Sequence, residues 1–212
     1  METSAEPGRR EQNKRRTHDA LIEAASRLFQ EKGYDATTVR DIAAAAGVGE
    51  RTFFRYFPSK DSLVHQRMLE LTPVLADEIR ARPAQEPPLT ALRNALLDLG
   101  RHDEMALAVF LAGRQQLPSV PTGRGERHLL FEAEKAFADA FLDRTAAQGA
   151  DPATLESQLR ATVLARAGVG VLRAVQLVYT RLPEAVRSGI DLSDFTDKAF
   201  AILAEPATAV GD

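Results

Sequence analysis

The chain has 212 residues, 44% of them hydrophobic, which is enough for a folded protein with an internal core. It contains no cysteine, and its four histidines lack metal-ligand spacing, which excludes disulfides and thiolate zinc sites. The net charge of −3 is unevenly divided: residues 1–60 carry 11 Lys and Arg against 9 Asp and Glu, and residues 61–212 carry 16 against 21. This asymmetry indicates a small nucleic-acid-binding module attached to a larger acidic body.

Residues 1–16 predict a flexible basic arm. The segment RREQNKRR, from Arg9 to Arg16, places five basic side chains within eight residues after a polar start that contains Pro7 and Gly8. Such an arm contacts phosphates independently of sequence or enters a minor groove in other DNA-binding proteins. The alternative is a tail that serves only solubility.

Three short helices are predicted between residues 17 and 63. The first begins at Thr17, turns one apolar face inward and stops at Gly33. The second begins near Thr38, where Asp41 three residues on completes a capping box, and Gly47 ends it in a tight turn. This arrangement is typical of a helix-turn-helix.

The third helix, from about Gly49 to Phe57, carries side chains that suit a DNA groove. Phe57 and either Phe53 or Phe54 supply its apolar face. Arg can bind a guanine edge with two hydrogen bonds, Thr can touch a base, and Tyr can donate to phosphate. The outward residues are Glu50, Arg51, Thr52, Arg55 and Tyr56. A solvated helix face unrelated to DNA is the alternative.

Helices are also predicted throughout the remainder. Ser59 is the expected N-cap of a helix that runs to about Arg82, with a kink or a new start at Pro73, of which we favour the kink. The further predicted helices are 89–100, 103–116, 125–147, 152–181 and 192–203.

The predicted helix from Pro152 to Arg181 is the most apolar in the chain, and its apolar residues surround it rather than form one stripe. Gly168 and Gly170 would each cost about 1 kcal/mol in an isolated helix, so they indicate close approach by another backbone. Packing in a dimer would explain both glycines, and the central core helix of a monomer is the alternative.

Residues 17–68 resemble the DNA-binding domain of the TetR family of transcriptional regulators. The resemblance is carried by Gly33-Tyr34 at the end of the first helix, by TTVRDIAAAAGV, by the aromatic run FFRYF and by PSKDSL. It implies base contacts by Arg40, Glu50, Arg51, Thr52 and Arg55. It implies phosphate contacts by Thr38, Tyr56 and Lys60.

Two positions depart from the family pattern. Gly49 replaces the usual Ser or Thr and is a slightly weaker N-cap. Phe54 replaces the usual Tyr and cannot donate a hydrogen bond to phosphate. We therefore expect one phosphate contact fewer.

The resemblance implies an all-α protein with a flexible arm (1–16), a DNA-binding domain (17–63), a C-terminal ligand-binding and dimerisation domain (64–205) and a tail (206–212). It also implies a homodimer that pairs through its last two helices, a palindromic double-stranded operator and release by a small-molecule effector, with repression as the usual mode. The loop LPSVPTGRG, between Gln115 and Glu126, is typical of the border of a ligand entrance. The candidate ligand-binding residues are His102, Phe110, Arg114, His128, Arg166, Arg173 and Tyr179.

Other classes of protein fit the sequence less well. Nucleophile elbows and phosphate-binding loops are missing, so we expect no enzyme and no cofactor. No signal region or run of 18 uninterrupted apolar residues occurs, so we expect a cytoplasmic protein that does not contact a membrane. A non-specific architectural DNA-binding protein without effector control is the alternative function.

Overall fold

The structure, a computed structural model, describes residues 8–102, 124–187 and 189–204. Within these ranges every regular element is an α-helix, which confirms the predicted all-α class. The chain divides into two compact units, Met1–Arg67 and Met68–Asp212. The helices are α1 (Arg9–Ala36), α2 (Val39–Ala45), α3 (Glu50–Tyr56), α4 (Lys60–Ala81), α5 (Pro88–His102), α6 (Arg124–Ala147), α7 (Leu155–Arg181), α8 (Glu184–Arg187) and α9 (Leu192–Ala204).

The first unit is built around a small apolar core between α1, α2, α3 and the start of α4. α2 packs against both α1 and α3. Leu21 and Ala25 of α1, Ile42 of α2 and Phe53 of α3 are all fully buried. Because α2 and α3 have only seven residues each, this shared burial, rather than helix propensity, holds them in place.

α1 is longer at its N-terminus than the sequence predicts. It begins at Arg9, so the flexible arm predicted for residues 1–16 is wrong for Arg9–Arg16. Arg, Gln and Lys are good helix formers, and they extend a helix that the core has already nucleated. Thr17 Oγ1 donates to Asn13 O at 3.0 Å, and Lys14 pairs with Glu11 at 3.7 Å. Residues 1–7 lie outside the described ranges.

The second unit places α7 at its centre. α7 packs against α5, α6 and α9, and α5 packs against α9. By length and composition α7 could cross a membrane. Eight of its residues are buried within the unit, among them Val169, Leu172 and Val175, which identifies it as a core helix.

The two glycines of α7 have different surroundings. A Cβ atom at Gly168 would clash with Cδ2 of Leu92 on α5, whereas one at Gly170 would meet no atom within 4 Å. A side chain of the same chain, and not the backbone that the sequence predicts, therefore approaches Gly168, so this glycine needs no dimer contact to explain it. Gly170 lies on the exposed side of α7, where a contact with a second chain stays a prediction.

Helix boundaries in the second unit differ from the prediction in two places. α4 is one helix through Pro73, as in the favoured prediction, and the alternative of a new start at Thr72 is wrong. α7 begins at Leu155, because Thr154 accepts a hydrogen bond from Ser157 N and caps it. The short helix α8 was not predicted, and the helix predicted for residues 103–116 lies outside the described ranges.

Arg144 fixes the connection between α4 and α5. This buried side chain lies on α6 and donates four hydrogen bonds, of 2.6–3.1 Å, to the carbonyl oxygens of Ile79, Arg82, Pro83 and Glu86. Burial lowers the pKa of Arg144, but a guanidinium stays charged. The cation thereby binds carbonyl groups at the end of α4 and in the connection that follows it, where a positive charge is favourable.

Candidate DNA-binding site

The capping box predicted at the start of α2 is confirmed. Thr38 Oγ1 accepts from Asp41 N at 3.1 Å, and Asp41 Oδ2 accepts from Thr38 N at 2.9 Å. A hydrogen bond from Lys32 to the same carboxylate, at 2.7 Å, is the main reason that the pKa of Asp41 falls well below its usual range. A lowered pKa means that the ionised Asp41 stabilises the fold above about pH 4 and loses that contribution as the pH falls through the lowered pKa.

The turn between α2 and α3 depends on Gly47. Its φ of 69° lies in the left-handed region, where residues with a side chain are strained. Val48 N then donates to Ala43 O at 2.9 Å, and Gly47 N donates to Ala44 O at 3.0 Å. These two bonds close the end of α2 as predicted and turn the chain directly into α3.

α3 exposes the face that the sequence predicts. Phe53 and Phe57 are buried, whereas Phe54 is 50% exposed, which decides between the two candidates for the apolar face. Gly49 provides no side-chain hydrogen bond at the N-cap. The predicted base-contacting residues Glu50, Arg51 and Arg55 are exposed, and Thr52 is half-buried.

The other predicted contacts border this face. Arg40 on α2 and Thr38 at its N-cap are both exposed. Because Thr38 Oγ1 accepts from Asp41 N, its hydroxyl hydrogen can still be donated to a phosphate. Tyr56 is half-buried, and the guanidinium of Arg55 lies 5.4 Å from the centre of its ring. The contacts of all these residues with DNA stay predictions.

Lys60 has a different environment from the one predicted. Its ammonium donates to Tyr34 O at 2.6 Å and to Thr37 O at 2.7 Å, and it lies 3.9 Å from the centre of the Tyr34 ring. Tyr34 in turn donates to the carboxylate of Asp61. Lys60 therefore joins the start of α4 to the last turn of α1 and to the connection between α1 and α2. Its phosphate contact stays a prediction that this geometry does not favour.

His18 supports α3 from α1 and was not predicted as part of the site. Its ring lies 5.2 Å from the ring of Phe57 and 6.5 Å from that of Tyr56, measured between centroids. Only the position of His18, one turn before the buried Ile22, could have indicated this contact. The packing fixes α1 against the C-terminal end of α3.

The candidate ligand-binding residues belong to the second unit. Phe110 and Arg114 lie outside the described ranges, as does most of the loop before Glu126. His102 and His128 are exposed, and Arg166 is exposed and pairs with Glu134 at 3.2 Å. Arg173 and Tyr179 are half-buried on α7. A ligand site formed by these residues stays a prediction.

Comparison with known proteins points to transcriptional regulators. Residues 21–66 match the family model described as bacterial regulatory proteins, tetR family. The chain is 42% identical over 89 residues to the HTH-type transcriptional regulator TcmR of Streptomyces glaucescens, a match that covers 42% of this chain and 39% of TcmR. It is 42% identical over 65 residues to the HTH-type transcriptional repressor KstR2 of Rhodococcus jostii, covering 31% of this chain and 28% of KstR2. These matches span less than half of either relative.

A solved structure extends the similarity in fold to most of the chain. The TetR-family repressor FadR of Thermus thermophilus, crystallised with lauroyl-CoA, superposes with a TM-score of 0.56 at 23% identity. The superposition covers 92% of this chain and 97% of FadR. The two proteins therefore share a fold in both the N-terminal and the C-terminal regions.

The capping box gives a direct test of how α2 is held. Thr38→Ala removes the oxygen that accepts from Asp41 N, and we expect the free energy of unfolding to fall by about 0.5–2 kcal/mol. Thr38→Ser keeps the oxygen and should recover most of this loss. Urea denaturation followed by circular dichroism measures both variants. Equal midpoints for the two would show that the cap does not stabilise the domain.

Proposed function

We propose that this chain is a transcriptional regulator of the TetR family, namely a cytoplasmic repressor that binds a palindromic operator as a homodimer and is released by a small molecule. The match over residues 21–66 and the relatives described as HTH-type regulators support binding to DNA. KstR2, which is described as a repressor, supports the direction of control.

The exposed face of α3 is the observation that carries the proposal. Glu50, Arg51 and Arg55 are exposed on a helix whose buried face is fixed by Phe53 and Phe57. Arg51 can donate two hydrogen bonds to the O6 and N7 atoms of guanine, and Glu50 can accept from the amino group of cytosine. A rigid helix with this donor and acceptor pattern is suited to reading base edges in a major groove.

Neighbouring residues are suited to fix the position of that helix on the duplex. Thr38 and Tyr56 can donate hydroxyl hydrogens to phosphate oxygens. Arg40 is proposed as a further base contact from α2. Phosphate contacts set the register and orientation of a protein on DNA without reading the base sequence. We therefore assign specificity for the base sequence to the proposed base contacts, which are Arg40, Glu50, Arg51, Thr52 and Arg55.

An apolar stripe on α7 supports the homodimer. We define the stripe by Leu159, Val163, Gly170 and Val178, which share one exposed face of the helix, with exposures of 63%, 54% and 48% for the three larger residues. Ile202 on the adjoining helix α9 is 66% exposed. Large apolar side chains exposed along one helix face are typical of an interface, and a two-fold dimer pairs such a face with itself. The DNA-binding domains of two protomers also make more phosphate contacts than one small domain can make alone.

Effector control rests on the large second unit and on the fold it shares with the FadR that was crystallised with lauroyl-CoA. At 23% identity the shared fold does not identify the ligand. α4 contributes residues to both units and is their covalent connection. A ligand that prefers the released conformation by about 1–3 kcal/mol would weaken DNA binding by about 5–150-fold, and operator DNA would weaken the ligand equally.

Selection of bound duplexes from random DNA tests the function. We expect the unaltered chain to select a palindrome, and Arg51→Ala and Arg40→Ala each to lose about 1–3 kcal/mol of preference at one position per half-site. Tyr56→Phe is the matched control, because it should weaken all sequences alike and leave the selected palindrome unchanged. Binding without a preferred sequence would instead support the architectural alternative.

Light scattering tests the dimer face. Val163→Asp places a charge at the centre of the apolar stripe, and we expect the dimer, of twice 23.1 kDa, to dissociate into folded monomers. Val186→Asp is the matched control, since Val186 is 49% exposed but lies on α8 outside the stripe. If Val163→Asp remained dimeric, the interface would have to lie elsewhere.

A further inference from the structure

The first two turns of α1 form a basic surface that the DNA-contacting residues described above do not include. Five basic residues lie between Arg9 and Arg16, and all are exposed. Because these residues are helical, their side chains project in fixed directions, unlike those of a flexible arm. The helix therefore turns Arg10 and Lys14 to one face and Arg9 and Arg16 to another, with Arg15 between the two faces.

One of these faces is continuous with the C-terminal end of α3. Arg10, Lys14 and His18 are spaced four residues apart, which places them above one another on one side of a helix. His18 packs against Tyr56 and Phe57. We name the surface formed by Arg10 and Lys14 the α1 basic row; it leads from Tyr56 towards the N-terminus of α1.

Arg9 and Arg16 lie on the other face. At about 100° per residue, Arg16 is turned roughly 200° from Lys14, and Arg9 lies seven residues before Arg16 on the same side. The core-facing residues Leu21 and Ala25 of α1 follow Lys14 by seven and eleven residues and so share its side rather than that of Arg16. Arg9 and Arg16 thus point away from the side on which α3 packs.

We propose that the α1 basic row is a second DNA-contacting surface, which binds phosphates beyond those reached by α3. The inference rests on the proposed function, because it takes α3 as the helix that lies in the groove. With a rise of about 1.5 Å per residue, Lys14 and Arg10 lie about 6 Å and 12 Å along α1 from His18. One DNA strand carries a phosphate about every 3.4 Å along its axis, so the two cations meet different phosphates.

Two carboxylates lie beside the row. Glu11 pairs with Lys14 at 3.7 Å, and Asp19 lies 3.2 Å from His18 Nδ1. Lys14 and Glu11 remain 66% and 64% exposed, and an exposed ion pair contributes little to stability. A phosphate can therefore replace Glu11 as the partner of Lys14. The helix also holds the cations in place before DNA arrives, which reduces the ordering cost that a flexible arm would incur.

The salt dependence of binding distinguishes a fixed row from a flexible arm. The affinity for the selected palindrome is measured from low to high salt for two variants of the chain. One variant is Arg10→Gln/Lys14→Gln, and the other is Arg9→Gln/Arg16→Gln. Each variant removes two positive charges per protomer, and Gln forms helix about as well as Arg and Lys. The two proteins therefore differ only in which face loses its charge.

We expect the first variant to lose four phosphate contacts per dimer, which makes the slope of log K against log salt less negative by about 3.6. The second variant should keep the slope of the unaltered chain. Equal changes in both variants would overturn the inference in favour of a flexible arm, and no change in either would show that α1 does not meet DNA. The unaltered chain separates this inference from the proposed function, since failure to select any palindrome would count against the function itself.

Discussion

The burial of Phe53 and Phe57 is the interaction on which the orientation of the exposed face of α3 depends. α3 has seven residues and no side-chain cap, and isolated helices shorter than about 12–15 residues are marginal in water. Burying a Phe side chain contributes about 1.5–3 kcal/mol. Two such side chains fix α3 on the domain, and the face opposite them is then presented to solvent in one orientation. The exposed arginines can be preorganised for a groove only because these two rings are held.

The rest of the first unit holds the surroundings of those two rings in place. Gly47 turns the chain so that α3 follows α2 immediately, and the capping box at Thr38 fixes where α2 begins. His18 contacts Phe57 from α1, and Lys60 ties α4 to the carbonyl groups of Tyr34 and Thr37. Each contact restrains a different helix, so that α1, the two short helices α2 and α3, and the start of α4 form one module.

Local signals in the sequence predicted most of this module. The capping box, the glycine turn and the exposed face of α3 each depend on residues close to one another in the sequence, and propensity and spacing describe such contacts well. The choice between Phe53 and Phe54 could not be made from spacing alone. It follows from which ring meets the core formed by α1 and α2.

The features that the sequence did not predict depend on partners distant in the chain. Lys60 has a basic side chain suited to phosphate, yet its ammonium is bound by carbonyl groups 23 and 26 residues away. From the sequence, Arg144 is indistinguishable from an ordinary surface residue, because its carbonyl partner at the end of α4 is 65 residues away. Gly168 is explained only by Leu92 on another helix. Spacing within one helix carries no information on such contacts, because they are set by the packing of the fold.

The proposed contact between Arg51 and a guanine is tested most directly by replacing single atoms in the operator. Replacing each guanine of a half-site in turn by 7-deazaguanine removes the N7 acceptor and leaves the base pair intact. We predict one guanine at which the unaltered chain loses about fivefold or more in affinity while Arg51→Ala loses none, as expected for one bidentate contact. If every replacement weakened both proteins equally, or none weakened the unaltered chain, Arg51 would not read a guanine and the assignment of α3 to the groove would be contradicted.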